Sequence, residues 1–304
     1  MNNFFKKYWY KFLNKEKYEK LKIYEKNKKD LNIFKKNYEN YINLIQKKIK
    51  EKKELNFLHS GTSGDIINSL PIIKELSKTH KCNFYLQSNK AHNNKHPNNY
   101  GIYLMNENTL NMLLPLLKTQ KYLNSVNKYS SENIDIDFDI FRKLPISFVF
   151  DNARYYFQLV GIQPNLLETY LDIEKHDEIK NQIVIHRTLR YQNHFINYKF
   201  LNSYENLLFV GSKKEYEDLK KDITNLKFYD CKDFLEMAKI IKSSKLFIGN
   251  SSIGHALAEA IKIPRLLEAC PGFPAAQPHG KNAFDFYFQI HFEKFFKKLY
   301  EISL

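Results

Sequence analysis

The sequence is poor in the residues that break helices or crosslink chains. Its 304 residues include 9 glycines, 9 prolines, 3 cysteines and one tryptophan. It has no run of the roughly 18 to 20 apolar residues that cross a bilayer, and its lysine-rich start lacks the apolar stretch and cleavage site of a signal peptide. We therefore expect a cytoplasmic protein without a membrane span.

The cysteines and the overall composition exclude further classes. Cys82, Cys231 and Cys270 are odd in number, far apart and without Cys-x-x-Cys spacing, which argues against a disulfide framework and a zinc site. The chain is 43% hydrophobic and 15% aromatic, which excludes a disordered protein. A folded protein with reduced cysteines is expected.

Positive charge is concentrated at the start of the chain. The formal net charge is +15, and residues 1–54 hold 17 basic and 7 acidic side chains, so two thirds of the excess lies there. Because the first glycine is Gly61 and the first proline is Pro71, residues 1–54 predict a helical extension. We expect one long helix, or two helices broken near Asn14 or within residues 27–30.

The beginning of this extension is aromatic as well as basic. Phe5, Trp9 and Phe12 share one helical face and are surrounded by lysines. Such a helix lies peripherally on an anionic membrane or packs on its own globule, and the sequence leaves both interpretations open. Nucleic acid is not an expected partner, because only this local charge would favour it.

From residue 55 onward, short apolar strands alternate with helices, which predicts an α/β fold with mostly parallel sheets. We expect two Rossmann-like lobes that face each other across a cleft, at residues 55–175 and 176–304, with a linker around residues 171–180. The predicted strands of the first lobe are 55–59, 83–87 and 125–129, followed by a segment at 134–141 to which no helix or strand is assigned. Those of the second lobe are 182–186, 207–210, 226–229, 246–248 and 264–267, before an irregular segment at 270–280 and a last helix at 292–302.

Polar residues follow the first strand, at the edge where parallel sheets bind ligands. The turn Gly61-Thr62-Ser63-Gly64-Asp65 matches neither a P-loop nor the dinucleotide-binding fingerprint. Its glycines permit a tight turn and a close approach by a substrate. Asp65 is at the predicted helix start, where a carboxylate serves as an N-cap or as a catalytic base, and the two roles are compatible.

A similar turn follows a strand of the second lobe. Small residues and hydroxyls at 249–255 precede a helix, whose free N–H groups and dipole favour a phosphate. The alternative is that Asn250 or Ser251 only caps this helix and His255 belongs to the core. Arg187 and Arg190 follow another strand as a phosphate clamp or as ordinary exposed arginines.

Two motifs resemble one known family. Residues 64–71, Gly-Asp-Ile-Ile-Asn-Ser-Leu-Pro, are similar to the opening turn of heptosyltransferase-like glycosyltransferases, family 9, which have the GT-B fold. Residues 249–260, Gly-Asn-Ser-Ser-Ile-Gly-His-Ala-Leu-Ala-Glu-Ala, resemble that family's second signature. The resemblance covers most of residues 55–290.

The resemblance implies roles for particular residues. Asp65 would be the general base, and the diphosphate of the sugar nucleotide would be bound by Ser251, Ser252 and His255. Glu268 would lie near the nucleotide base. The full predicted substrate- and phosphate-binding set is Gly61, Thr62, Ser63, Gly64, Arg187, Arg190, Ser212, Lys213, Asn250, Ser251, Ser252, Gly254 and His255. Asn250 stands where the family usually has Asp and Ser252 where it usually has Gly, which leaves the identity of the donor open.

Two other patterns indicate metal sites less strongly. Asp135, Asp137 and Asp139 alternate, so in an extended segment they share one face and could bind a cation. Solvated carboxylates on a strand are the ordinary alternative, and the family resembled is metal-independent. His92 and His96 lack the Glu of a zinc-protease helix. We predict no metal and no cofactor besides the nucleoside-diphosphate sugar as donor substrate.

The resemblance implies an inverting glycosyltransferase that moves a sugar from a nucleoside-diphosphate sugar to a glycan or lipid-linked acceptor. The alternative is a sugar-nucleotide-binding or scaffolding protein of the same fold without turnover. A cytoplasmic location is expected, with residues 1–54 as the candidate contact to the inner face of the membrane.

Overall fold

The computed structural model describes residues 9–91, 103–144 and 151–302. His92, His96 and the first residues of the predicted aromatic face, including Phe5, lie outside the described residues. Two parallel sheets organise the chain, which confirms the predicted α/β fold with two Rossmann-like lobes. Among the described residues, no helix is both long enough and apolar enough to span a bilayer.

The first sheet has four parallel strands in the order β3-β2-β1-β4. They are β1 Glu54–His59, β2 Lys81–Leu86, β3 Ser125–Lys128 and β4 Ile136–Asp137. Leu55 pairs with Cys82 and Phe57 with Ile136. The segment 134–141 contains only the two residues of β4 as a strand, and a 3₁₀ turn at Phe138–Lys143 follows them.

The second sheet has six parallel strands in the order β10-β9-β8-β5-β6-β7. They are β5 Ile183–His186, β6 Leu207–Val210, β7 Lys227–Tyr229, β8 Leu246–Asn250, β9 Arg265–Glu268 and β10 Ala283–Phe286. Strand β10 was not predicted from the sequence. Its residues show only a weak alternation of buried and exposed side chains. The four strands β5, β6, β8 and β9 are buried along their whole length, as expected of a parallel sheet covered on both faces.

Besides the helical residues 9–13, the described part of the chain has nine α-helices. They are α1 Lys15–Asn37, α2 Glu39–Glu51, α3 Ser63–Leu76, α4 Glu107–Lys118, α5 Arg154–Val160, α6 Lys213–Leu219, α7 Phe234–Ser243, α8 Ile253–Ile261 and α9 Gln289–Ile302. The last helix begins three residues earlier than predicted. Residues 171–180, the predicted linker, contain no helix or strand.

The described part of the N-terminal extension contains helical residues 9–13, followed by the helices α1 and α2. The predicted break near Asn14 is present, because Asn14 separates residues 9–13 from α1 and caps α1 through a bond from the N–H of Lys17. No break occurs within residues 27–30, and α1 ends at Asn37. No residue of α1 is buried, whereas α2 buries Ile45 completely in the core of the first lobe. The interpretation of a helix packed on its own globule therefore fits α2 and does not fit α1.

In both sheets the chain reverses its direction of winding at one point. In the first sheet this point lies between β1 and β4, and in the second between β5 and β8. A crevice opens beyond the carboxyl ends of the strands at such a switch point. The helices that follow β1 and β8 are α3 and α8, and these two helices pack against each other. The two crevices therefore open onto the same space.

Candidate functional site

A cavity of about 630 Å³ lies at the two switch points, between the lobes. Its size is within the range of small-molecule sites in proteins. Most of its lining residues come from the segments after β1, β4, β5 and β8 and from the segments around residues 151–155 and 273–279. Eight predicted site residues line it: Thr62, Ser63, Gly64, Asp65, Arg190, Ser251, Ser252 and His255.

Asp65 is held at the start of α3 by local bonds. Thr62 and Asp65 form a capping box, in which the Asp65 carboxylate accepts the N–H of Thr62 at 3.2 Å. The same oxygen, Oδ2, is 2.5 Å from Nη2 of Arg142. The carboxylate lies on the cavity wall with a quarter of its side chain exposed. Asp65 is therefore an N-cap, as one interpretation expected, and its carboxylate is also accessible to a substrate.

A network of buried side chains holds the Asp65 carboxylate and the turn before it. Arg142 bridges Asp65 and Asp139, with 3.1 Å between Nη1 and Oδ1 of Asp139. Nδ1 of His59 accepts the N–H of Gly61, and its Nε2 is 2.9 Å from the hydroxyl of Tyr156. That hydroxyl donates to the backbone oxygen of Asp65 at 2.9 Å.

The protonation states in this network follow from burial. Burial lowers the pKa of His59 to about 4, against the weaker opposing effect of Asp139, so the ring is neutral at pH 7. Burial raises the pKa of Tyr156 well above its usual value, so its hydroxyl keeps its proton. The network thus holds the turn from Gly61 to Asp65 with hydrogen bonds from fixed donors. His59, Arg142 and Tyr156 all lie outside the sequence motif at residues 64–71.

The start of α8 provides the other wall. Gly64 lies beside it, since a Cβ atom on Gly64 would be 3.9 Å from the backbone of Ser252 and Ile253. His255 is buried on the first turn of α8 and lines the cavity. Its Nε2 atom has no hydrogen-bond partner in the described chain. Burial, with the nearby charges of Arg265 and Lys262, lowers the pKa of His255 to about 3.

Several predicted site residues have other contacts instead. Asn250 is fully buried and clamps the loop after β5, because its side chain binds the N–H, hydroxyl and carbonyl of Thr188. Gly254 lacks a Cβ atom because one would overlap the imidazole ring of His186. A Cβ atom on Gly61 would likewise overlap the side chains of Arg142 and His59.

Arg187 and Glu268 lie away from the cavity. We expected Arg187 to clamp a phosphate, but its guanidinium binds the fully buried Glu268, with Nε and Nη2 at 2.6 and 2.8 Å from the carboxylate. Glu268 also accepts the hydroxyl of Tyr198 and the N–H of Asn193. Neither Arg187 nor Glu268 lines the cavity. The pair holds the loop after β5 against the end of β9.

Ser212 and Lys213 also lie outside the cavity lining. Ser212 is the N-cap of α6, and with Glu215 it forms a capping box. Ser212, one of the two predicted phosphate contacts at the end of β6, is therefore a helix cap in this structure.

The three alternating aspartates do not form one cation site. Asp135 is paired with Lys48 and Lys52, and Asp139 with Lys90 and Arg142. Asp137 caps the 3₁₀ turn through the N–H of Asp139. No group of three or more His, Cys, Asp or Glu side chains is placed to hold a metal ion within residues 9–91, 103–144 and 151–302.

The comparisons with known proteins give a likeness of fold. No protein-family model matches the chain, and no curated protein matches its sequence. Among solved structures, a glycosyl transferase of family 9 from Veillonella parvula has a TM-score of 0.52 at 10% identity, over 81% of this chain and 91% of that one.

Two heptosyltransferases have similar scores. Heptosyltransferase WaaC of E. coli, solved with ADP-2-deoxy-2-fluoro heptose, has a TM-score of 0.52 at 9% identity, over 81% of this chain and 99% of that one. The dodecameric iron-containing heptosyltransferase TibC, solved with ADP-D-beta-D-heptose, has a TM-score of 0.51 at 15% identity, over 77% of this chain and 63% of that one. The predicted GT-B-like fold is confirmed.

Proposed function

We propose that this protein is a glycosyltransferase that takes a sugar from a nucleoside-diphosphate sugar and transfers it, with inversion, to a hydroxyl of a glycan or lipid-linked acceptor. One observation carries the proposal. The two motif segments come from different lobes, and they meet at one cavity that contains an accessible carboxylate and two helix N-termini. The solved structures of the same fold include two heptosyltransferases bound to ADP-heptose compounds.

The start of α8 is the proposed diphosphate site. The free N–H groups of its first turn and its dipole favour an anion. Ser251 adds a hydroxyl donor, while the hydroxyl of Ser252 donates to the backbone oxygen of Asn250 at 2.9 Å in this structure. The unpartnered Nε2 of His255 gives this end of the cavity a buried polar atom that a phosphate oxygen would satisfy.

Asp65 is the proposed general base. Its carboxylate would take the proton of the acceptor hydroxyl while the new bond from that oxygen to the sugar carbon forms. The bond from the sugar carbon to the diphosphate breaks on the opposite face, and the electron pair leaves with the diphosphate. Both fixed contacts of the carboxylate use Oδ2, so Oδ1 is available for this proton. Such a single displacement inverts the configuration at that carbon.

Donor binding is tested by thermal denaturation with ADP-, GDP-, UDP- and CDP-sugars. A ligand that binds only the folded state stabilises it by about 2.7 kcal/mol at a hundredfold excess over Kd. We expect one nucleotide class to raise the melting temperature by a few degrees, and the matching nucleoside diphosphate to do so as well. If none of the four classes shifts the melting temperature, the proposal is contradicted.

We also propose that the enzyme is cytoplasmic and peripheral on the inner face of an anionic membrane. The observation that favours this is α1, which carries nine lysines against four acidic residues and buries none of its side chains. Just before it, Trp9 and Phe12 are 63% and 80% exposed. Aromatic rings with surrounding lysines suit the boundary between lipid headgroups and acyl chains.

Vesicle co-sedimentation of the full chain tests this contact. We expect binding to vesicles that contain phosphatidylserine, weaker binding to phosphatidylcholine alone, and a loss on the order of tenfold in the variant Trp9→Ser/Phe12→Ser. The matched control is Phe288→Ser/Ile290→Ser, which removes two exposed apolar side chains from the other end of the chain. Equal binding by the two variants would contradict a contact through the N-terminal segment.

A further inference from the structure

A carboxylate and an imidazole from different lobes meet on the wall of the cavity, outside both sequence motifs. Nε2 of His279 is 2.8 Å from Oδ2 of Asp151. The Asp151 side chain is nine-tenths buried, and that of His279 is about a quarter exposed. Both residues line the cavity.

Each partner is fixed independently. Oδ1 of Asp151 accepts the N–H of Ala153 at 3.2 Å. The backbone N–H of His279 donates to Glu259, and its carbonyl accepts bonds from Arg265 and Lys262. The imidazole is therefore held from one lobe through its backbone and from the other through its ring. Such a group needs little reorganisation to meet a ligand.

The hydrogen-bonding character of the cavity changes along α8. At its first turn the groups are N–H and hydroxyl donors, which suit an anion. One turn further, about 6 Å along the axis, Glu259 is on the wall, with Asp151 and His279 beside it. Both oxygens of Glu259 are used by Arg265, Lys262 and the backbone of His279.

The neutral form of the His279 imidazole presents an acceptor at this end. In the neutral ring, Nε2 carries the proton and donates it to Asp151, so Nδ1 is an acceptor. Acceptors of this kind bind hydroxyl groups and do not attract a second phosphate. If a diphosphate is bound at the first turn of α8, the sugar joined to it would lie about 6 Å further along the helix axis, near the imidazole of His279.

We propose that the Asp151–His279 pair binds hydroxyl groups of the transferred sugar and so contributes to the choice of donor. This inference rests on the proposed function, since it assigns one end of the same cavity. It makes His279 a substrate-binding residue and Asp151 the positioning residue that fixes its ring.

The test compares two ligands that differ only in the sugar. Calorimetric titrations of the full chain measure Kd for the sugar nucleotide that stabilises the wild type most, with ADP-heptose as the first probe, and for the matching nucleoside diphosphate. In His279→Phe we expect Kd for the sugar nucleotide to rise on the order of tenfold, and Kd for the nucleoside diphosphate to stay within about threefold.

Asp151→Asn serves as a second variant, because it preserves the shape of the side chain and should weaken the same ligand in the same direction. His291→Phe, an exposed histidine on α9 outside the cavity lining, is the matched control and should change neither constant. Equal weakening of both ligands, or undiminished binding of the sugar nucleotide by both cavity variants, overturns the inference. A wild type that binds no sugar nucleotide contradicts the proposed function itself, and the inference with it.

Discussion

Asp65→Asn is expected to reduce turnover by about 10²- to 10⁴-fold, the usual contribution of a positioned general base. Asparagine has nearly the same shape and can still accept the N–H of Thr62, but it cannot take a proton. Donor affinity should remain within about threefold, because the diphosphate is bound at the start of α8 in the proposed arrangement. The measurement is the rate of nucleoside-diphosphate release, together with Kd for the donor.

The matched control is Asp233→Asn. Asp233 is also a helix-capping aspartate, with its carboxylate accepting the N–H of Glu236 at 2.8 Å, and it does not line the cavity. Turnover should be unchanged in this variant. Full turnover in Asp65→Asn would show that another group is the base. A wild type that binds the donor but never turns it over would favour the alternative of a binding or scaffolding protein.

Glu268→Ala is expected to lower the free energy of unfolding by about 3 to 5 kcal/mol, as when one partner of a buried ion pair is removed. The Glu268 carboxylate accepts bonds from Arg187, Tyr198 and Asn193, and each donor would lose its partner. Although burial lowers the pKa of Arg187, the bonded carboxylate raises it overall, so the guanidinium stays charged. Urea unfolding at pH 7 measures the effect.

Two further variants sharpen this prediction. Glu75→Ala removes the exposed ion pair with Lys78 and should cost no more than about 0.5 kcal/mol. Arg187→Met/Glu268→Leu removes both buried charges, so it should recover the part of the loss that comes from the unpaired guanidinium and leave donor affinity within about threefold. The hydroxyl of Tyr198 and the N–H of Asn193 still lose their acceptor, so the recovery is partial. A large loss of donor affinity in the double variant would restore Arg187 as a phosphate ligand, as the sequence first indicated.

The sequence determined the fold class and the two motif turns because these depend on local pattern. Alternating apolar strands and helices require parallel sheets. A strand followed by glycines, hydroxyls and a helix requires a turn with free N–H groups. Asp65, Ser251, Ser252 and His255 were predicted as site residues in this way, and all four line the cavity.

Long-range partners decided the rest, and these have no signal in a single sequence. Arg187 follows a strand just as a phosphate clamp would, and only the pairing of β5, β8 and β9 brings Glu268 within its reach. The alternation of Asp135, Asp137 and Asp139 suggests a cation, yet lysines distant in sequence pair with Asp135 and Asp139 and help to neutralise them.

The tertiary structure also decided what faces the cavity beyond the two motifs. Arg142 beneath Asp65, and the pair of Asp151 with His279, lie 77 and 128 residues apart from their partners along the chain. Burial of α2 and the exposure of α1 likewise depend on which helix has a lobe to pack on. The sequence by itself determined which backbone groups would be free to bind a ligand. The packing of the two lobes decided which side chains surround it, because charge neutralisation and burial depend on proximity in space.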